Sequence, residues 1–260
     1  MLYAILKPSV ALVARLVFGL RSRGTEHVPA TGPVLLVANH VSHLDSPLIG
    51  AASPRYLSFL AKAELFRIPL FGGVIRRLHA HPLRREGADA GALRTALRVL
   101  KNGGALLVFP EGTRGEGDIL GPAKPGAGML AVLGGAPVVP VYVGGSGRAW
   151  PRGRRFPRPA KVTVTFGSPL RLAVGGHASR KDDYEAVSRQ MMSAIAGLRD
   201  SASSGDSRAI VVRAAGRRGA GAPPSEASLL TIARDGHRAV GGVGVGGART
   251  SPKYTDGRNR

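Results

Sequence analysis

Along this chain the apolar positions alternate between short continuous runs and longer stretches with a helical period. "PVLLVAN", opened by Gly32-Pro33 and closed by Asn39, reads as a buried strand. "DSPLIGAAS" follows as a short helix, with Asp45 or Ser46 as N-cap and Pro47 at the first helical position. "RYLSFLAK" reads as a second strand. "ADAGALRTALRVLKNGG" is an amphipathic helix with Leu93, Leu97 and Leu100 on one face and Arg94, Arg98 and Lys101 on the other. Gly103 supplies its stop. "ALLVFP" is a third strand, "PGAGMLAVLGG" a short helix, "PVVPVYV" a fourth strand and "KVTVTFGSPL" a fifth. Pro140, inside the fourth, predicts a sheet edge or a bulge there. "DDYEAVSRQMMSAIAGLRD" closes the series as a helix, with Tyr184, Val187, Met191 and Ile195 spaced for one face. Strands alternating with helices predict an α/β domain.

The two ends differ from this middle. "MLYAILKPSVALVARLVFGL" is apolar but carries Lys7, Pro8 and Arg15, which makes it a poor spanning helix. It lacks a clear early positive charge and small-residue cleavage site, so it does not read as a secretory signal. From Val10 to Leu20 the segment is apolar nearly all round with basic residues at its ends, the pattern of a helix lying in a membrane surface. A buried core helix and a true span are the alternatives. From about residue 201 the chain is rich in Gly, Ser, Pro and Arg without a sustained period, and it is expected to be mostly disordered. The expected organisation is therefore a membrane-associating helix in 1–24, one α/β domain in 25–200, and a tail in 201–260.

Composition narrows the function. A chain of 260 residues with 43% apolar residues can bury a real core. The formal charge of +21 implies attraction to an anionic partner. Aromatics make up only 5%, too few to supply the stacking platforms of single-stranded nucleic-acid binding, and no nucleic-acid partner is expected. The absence of Cys excludes disulfides, thiolate metal sites and a Cys nucleophile. His79 and His81 sit among arginines with no acidic neighbours at ligand spacing, so no metal is expected. The glycines of "GPAKPGAG" lack the Lys-Ser/Thr of a P-loop. A solvated role is the plainer reading of Lys124 within that stretch, and a contact with substrate the alternative.

Two constellations can carry chemistry. His40 and Asp45, in "NHVSHLD", would lie about 140° apart around a regular helix and could not pair there. They can pair if His40 sits on the turn leaving the strand while Asp45 begins the next helix. A carboxylate on one imidazole nitrogen fixes the tautomer and leaves the other as a general base for a hydroxyl. The plainer alternative is a helix-capping Asp beside a loop His. His43 is a rival base. In "LLVFPEGTRGEG" a strand runs into Glu111, Gly112, Thr113 and Arg114. Gly112 permits close backbone approach, Thr113 can donate, and Arg114 offers a fork suited to phosphate oxygens. A surface turn with a Glu–Arg ion pair is the alternative.

Together "NHVSHLD" and "FPEGTR" resemble the N-H-x-x-x-x-D and F-P-E-G-T-R motifs of the glycerolipid acyltransferases, above all the PlsC-like 1-acyl-sn-glycerol-3-phosphate acyltransferases. "HPLRRE" and "APVVPVYV" resemble two weaker blocks in the same order, and the resemblance spans about residues 25 to 200. It implies a mixed central sheet flanked by helices. It also implies direct transfer of an acyl group from acyl-CoA or acyl-carrier protein, without a resident cofactor, to a glycerol-phosphate hydroxyl. His40 would be the base and Asp45 its orienting partner. Glu111, Gly112, Thr113 and Arg114 would hold the acceptor, with Arg85 helping to bind its phosphate. Arg84 stands where members often carry Asp, so which of Arg84 and Arg85 meets phosphate is open. The implied product is phosphatidate for phospholipid biosynthesis, made at the cytoplasmic face of the membrane by a peripheral or monotopic protein. Another lysolipid or glycolipid acceptor is the same-class alternative, and a non-catalytic basic protein binding membrane or nucleic acid is the other.

Overall fold

The computed structural model describes residues 2–84, 89–115, 119–176 and 178–203. The tail expected in 201–260 lies outside the described residues beyond Ser203, as does Arg85. In chain order the elements are α1 (Leu2–Phe18), β1 (Arg21–Arg23), β2 (Val34–Ala38), α2 (Asp45–Ala52), β3 (Leu57–Lys62), α3 (Phe71–Arg77), β4 (Ala80–Leu83) and α4 (Ala90–Lys101). Then come β5 (Ala105–Val108), α5 (Pro125–Gly134), β6 (Val138–Gly144), the short α6 (Ser146–Ala149), β7 (Thr163–Phe166) and α7 (Arg180–Ser203).

The strands form one sheet in the order β1-β7-β6-β2-β5-β3-β4. Five of them, β6 through β4, are mutually parallel, while β7 runs antiparallel to β6 and pairs in parallel with β1. The fold is thus α/β with a mixed central sheet flanked by helices. Strand β2 is buried along its whole length, as a continuous apolar run between parallel neighbours should be. Its side chains alternate between two cores. Val34, Leu36 and Ala38 pack with Ala14 and Phe18 of α1 and Leu48 and Ile49 of α2. Leu35 and Val37 pack with Ala96 and Leu100 of α4, Leu130 of α5, and Val187, Met191 and Ile195 of α7.

This division positions the site. The chain leaves β2 toward the α1–α2 layer and leaves the neighbouring β5 toward the α4–α5–α7 layer. Adjacent parallel strands whose connections depart to opposite faces open a crevice beyond their carboxyl ends, where ligands bind in α/β sheets. Both motifs leave the sheet there.

Several local expectations change. Helix α2 begins at Asp45 behind Leu44, and no side chain caps it, so neither Asp45 nor Ser46 is the cap and Pro47 lies inside the first turn. Strand β6 lies between β2 and β7, which excludes the edge position for Pro140. The ladder instead slips by one residue beside it: Val141 faces Phe166, yet Val138 faces Leu170. That is a bulge in the facing strand. Helix α1 is not uniform around its axis. Tyr3, Ala14 and Phe18 are buried, whereas Ile5, Leu12, Val13, Leu16 and Val17 are exposed. Among the described residues no helix is long and apolar enough to cross a membrane.

Candidate active site

Asn39 ends β2 by clamping it to β6: its Nδ2 donates to the Val143 carbonyl (3.1 Å) and its Oδ1 accepts from the Val143 N–H (2.8 Å). His40 therefore leaves the strand from a fixed point. Its Nδ1 lies 2.9 Å from Asp45 Oδ2. The same oxygen accepts the N–H groups of Val41 (2.7 Å) and Ser42 (2.8 Å). All three donors lie upstream of α2, so the Asp45 side chain orients the His40 turn and does not cap the helix. Oδ1 has no partner among the described residues. An ionised carboxylate only accepts, so Nδ1 carries the proton and Nε2 is left as the basic nitrogen. The imidazole also stacks on Phe109, with ring centroids 4.0 Å apart and planes 16° apart.

The second motif is bonded to the first. The His40 N–H donates to Glu111 Oε1 (3.0 Å), and the Gly115 N–H donates to the His40 carbonyl (2.8 Å). Glu111 Oε2 accepts from the Gly121 N–H (3.2 Å). Glu111 is only 3% exposed, and burial raises its carboxyl above the ordinary value despite these two donors. The carboxylate thus ties the His40 turn to the second motif. Gly112 has φ 68°, and a Cβ there would lie 2.8 Å from Cδ of Lys124. The missing side chain lets the lysine stem lie across the turn and brings its ammonium over the motif.

His43 is exposed, and its ring lies 5.4 Å from that of Trp150. Burial first, then the charges of Arg114 and His40, hold its imidazole below the ordinary value. Among the described residues no carboxylate lies within ion-pair distance of it, so His43 lacks the carboxylate partner that His40 has. Arg114 adjoins Gly115, whose N–H binds the His40 carbonyl, and its charge acts on the His43 imidazole. Thr113 is exposed on the turn. The described residues contain no group of three or more His, Cys, Asp or Glu side chains able to hold a metal ion.

A profile of the family described as Acyltransferase matches residues 19–144. A 1-acyl-sn-glycerol-3-phosphate acyltransferase of Bacillus subtilis is 29% identical over 182 residues, 69% of this chain and 88% of that protein. A lyso-ornithine lipid O-acyltransferase of Pseudomonas aeruginosa is 43% identical over 89 residues, 34% of each chain. The crystal structure of the 1-acyl-sn-glycerophosphate acyltransferase PlsC from Thermotoga maritima matches with a TM-score of 0.61 and 29% identity, covering 76% of this chain and 81% of that one. In motifs, sequence and fold the chain is similar to the PlsC-like glycerolipid acyltransferases. It is an acyltransferase, and the non-catalytic reading is set aside.

Two contributors to the acyltransferase site, Phe109 and Gly115, escaped the sequence reading. Phe109, which packs on the base, was visible only as the end of a strand. Gly115 looked like one more loop glycine. Lys124 is exposed, as its plainer reading expected, with its stem lying across Gly112.

Proposed function

We propose that this acyltransferase moves a fatty acyl group from an acyl-CoA or acyl-carrier-protein thioester to the free hydroxyl of 1-acyl-sn-glycerol-3-phosphate, giving phosphatidate. The observation that carries the reading is the His40 Nδ1–Asp45 Oδ2 bond, made on a turn hydrogen-bonded to the Glu111–Arg114 motif. His40 Nε2 takes the acceptor hydroxyl proton as the oxygen attacks the thioester carbonyl. The tetrahedral intermediate then collapses, the C–S bond breaks, and the thiolate leaves with the proton from the imidazolium. No acyl-enzyme and no resident cofactor enter this sequence. Arg114, Lys124 and the backbone at Gly112 hold the acceptor phosphate, assisted by Arg85.

The reaction runs at the cytoplasmic face of the membrane, with the exposed apolar face of α1 lying in the surface and basic residues meeting anionic headgroups. The similarity to the lyso-ornithine lipid enzyme favours a second acceptor reading. Thioester release by the purified protein, measured with lysophosphatidate, lyso-ornithine lipid and glycolipid acceptors, tests both. Turnover fastest with lysophosphatidate supports the first. Turnover with lyso-ornithine lipid alone replaces it with the second.

A further inference from the structure

Apart from α1, the most conspicuous apolar surface is the corner between β3 and α3. Ile68, Leu70, Phe71 and Val74 are all exposed, Leu70 by 90%. Leu70 also has φ +61°, a conformation that non-glycine residues rarely adopt. An apolar side chain held fully in water on a strained backbone has two unfavourable terms, and the surroundings over-determine both. Gly72 lies so close to the Phe66 carbonyl that a Cβ would sit 2.4 Å from its oxygen. Arg76 closes the same corner, donating from Nη2 to the Phe66 carbonyl (3.1 Å) with its guanidinium 5.4 Å from the Phe66 ring centroid. The Gly72 N–H donates to the Ile68 carbonyl at 2.9 Å. The tip is therefore built, and it points its apolar residues outward.

Its place in the fold limits what can cover it. Strand β3 is parallel to β5, so the corner rises from the same sheet edge as the Glu111 motif. A right-handed crossover to the next strand puts α3 on the α2 side of the sheet. Contact confirms the neighbourhood: the ring of Tyr3, in the first turn of α1, lies 5.2 Å from that of His79, just beyond α3. The exposed apolar residues of α1 and of the corner thus belong to one helical layer. Exposed Arg67, Arg76 and Arg77 border the corner, and Arg15 and Arg21 border α1. An apolar tip within a ring of arginines complements one partner class, a lipid monolayer with anionic headgroups.

We infer that residues 68–74 form a second membrane-inserting element, which acts with α1 to hold the crevice edge of the sheet against an anionic bilayer. The inference extends the membrane-surface part of the proposed function. A single anchoring helix leaves the domain free to rotate about it. A second contact at the active-site edge fixes the orientation in which a lipid hydroxyl can reach His40.

The chain has no Cys, so one introduced thiol can be labelled without competition. An environment-sensitive dye is placed on full-length protein carrying Leu70→Cys or, as control, Leu133→Cys, at an exposed position of α5 in the opposite layer. With phosphatidylcholine–phosphatidylglycerol vesicles, the dye at 70 should shift to the blue and be quenched by brominated acyl chains, while the dye at 133 stays in water. Phe71→Ser/Val74→Ser should lower vesicle partitioning by about tenfold or more, without changing Tm or turnover of a water-soluble short-chain acceptor. Arg67→Ala/Arg77→Ala should weaken binding only where phosphatidylglycerol is present. Vesicle-bound protein with the dye at 70 still in water overturns the inference, as does failure to bind vesicles. A blue shift without vesicles that grows with protein concentration assigns the corner to a second copy of the chain and also overturns it. Quenching at 70 in a protein that transfers no acyl group would leave this inference standing and remove the proposed reaction instead.

Discussion

Glu111 links the two motifs, and its variants separate positioning from substrate contact. In Glu111→Gln one of the two N–H groups, from His40 or Gly121, loses its acceptor, with an expected cost of about 1–3 kcal/mol. The pH dependence has a definite sign. Burial raises the folded carboxyl above its unfolded value of 4.5, so its contribution is fully present below that pH and is lost as pH rises through the folded value. The stability gap between wild type and Glu111→Gln should therefore narrow as pH rises through that window, as thermal melts would show. Arg114 tests the phosphate assignment. Arg114→Ala should weaken acceptor use about ten- to hundredfold more than donor use, the worth of a charge-assisted hydrogen bond. Arg114→Lys should restore only part of this, because it keeps the charge and loses the fork. Arg114→Ala also removes a charge that depresses His43, so the His43 imidazole should titrate closer to 6.5 by NMR. An unmoved His43 would take Arg114 out of the crevice. At this scale the sequence revealed the pairing of His40 with Asp45, because strand, turn and helix were all punctuated locally. It misread Asp45 as a possible cap, since a capping carboxylate and one that bonds backward have the same spacing.

Helix α1 shows how an element can be legible in outline and misread in detail. Its apolar residues were visible, but only packing divides them into a face on α2 and a face outward. The two faces predict opposite behaviour. Phe18→Ala should cost about 3–5 kcal/mol, since the Phe18 side chain is buried in the core. Leu12→Ser/Leu16→Ser should leave the melting temperature nearly unchanged while releasing protein from vesicles. A large loss of stability in that double variant would mean the outward face is covered by protein. Strands β2, β5 and β6 were legible because buried parallel strands are continuous apolar runs. Strands β1 and β4 were not. "RSR" has no apolar alternation and is a strand because it pairs with β7, and "AHPL" carries Pro82 at the sheet edge beyond β3. Edge strands owe their existence to a neighbour's ladder, which a linear pattern does not display.

For the whole molecule, the proposed membrane contact would draw on two independent features, the charge of +21 and the exposed apolar residues of α1 and of the 68–74 corner. Salt screens the first and leaves the second. High salt should release the protein from anionic vesicles only in part, and complete release would mean that the arginines do all the anchoring. The layered fold brings His40 and the EGTR turn to one crevice at the carboxyl edge of the sheet. The central claim is that His40, held by Asp45, moves the proton in acyl transfer, and a double-mutant cycle on turnover tests it most directly. His40→Ala should lower the rate about 10²–10⁴-fold. Asp45→Asn should lower it through the same imidazole, and the double variant should be scarcely slower than His40→Ala alone, because groups acting as a unit are non-additive. A folded Asp45→Asn enzyme with wild-type turnover would contradict the account.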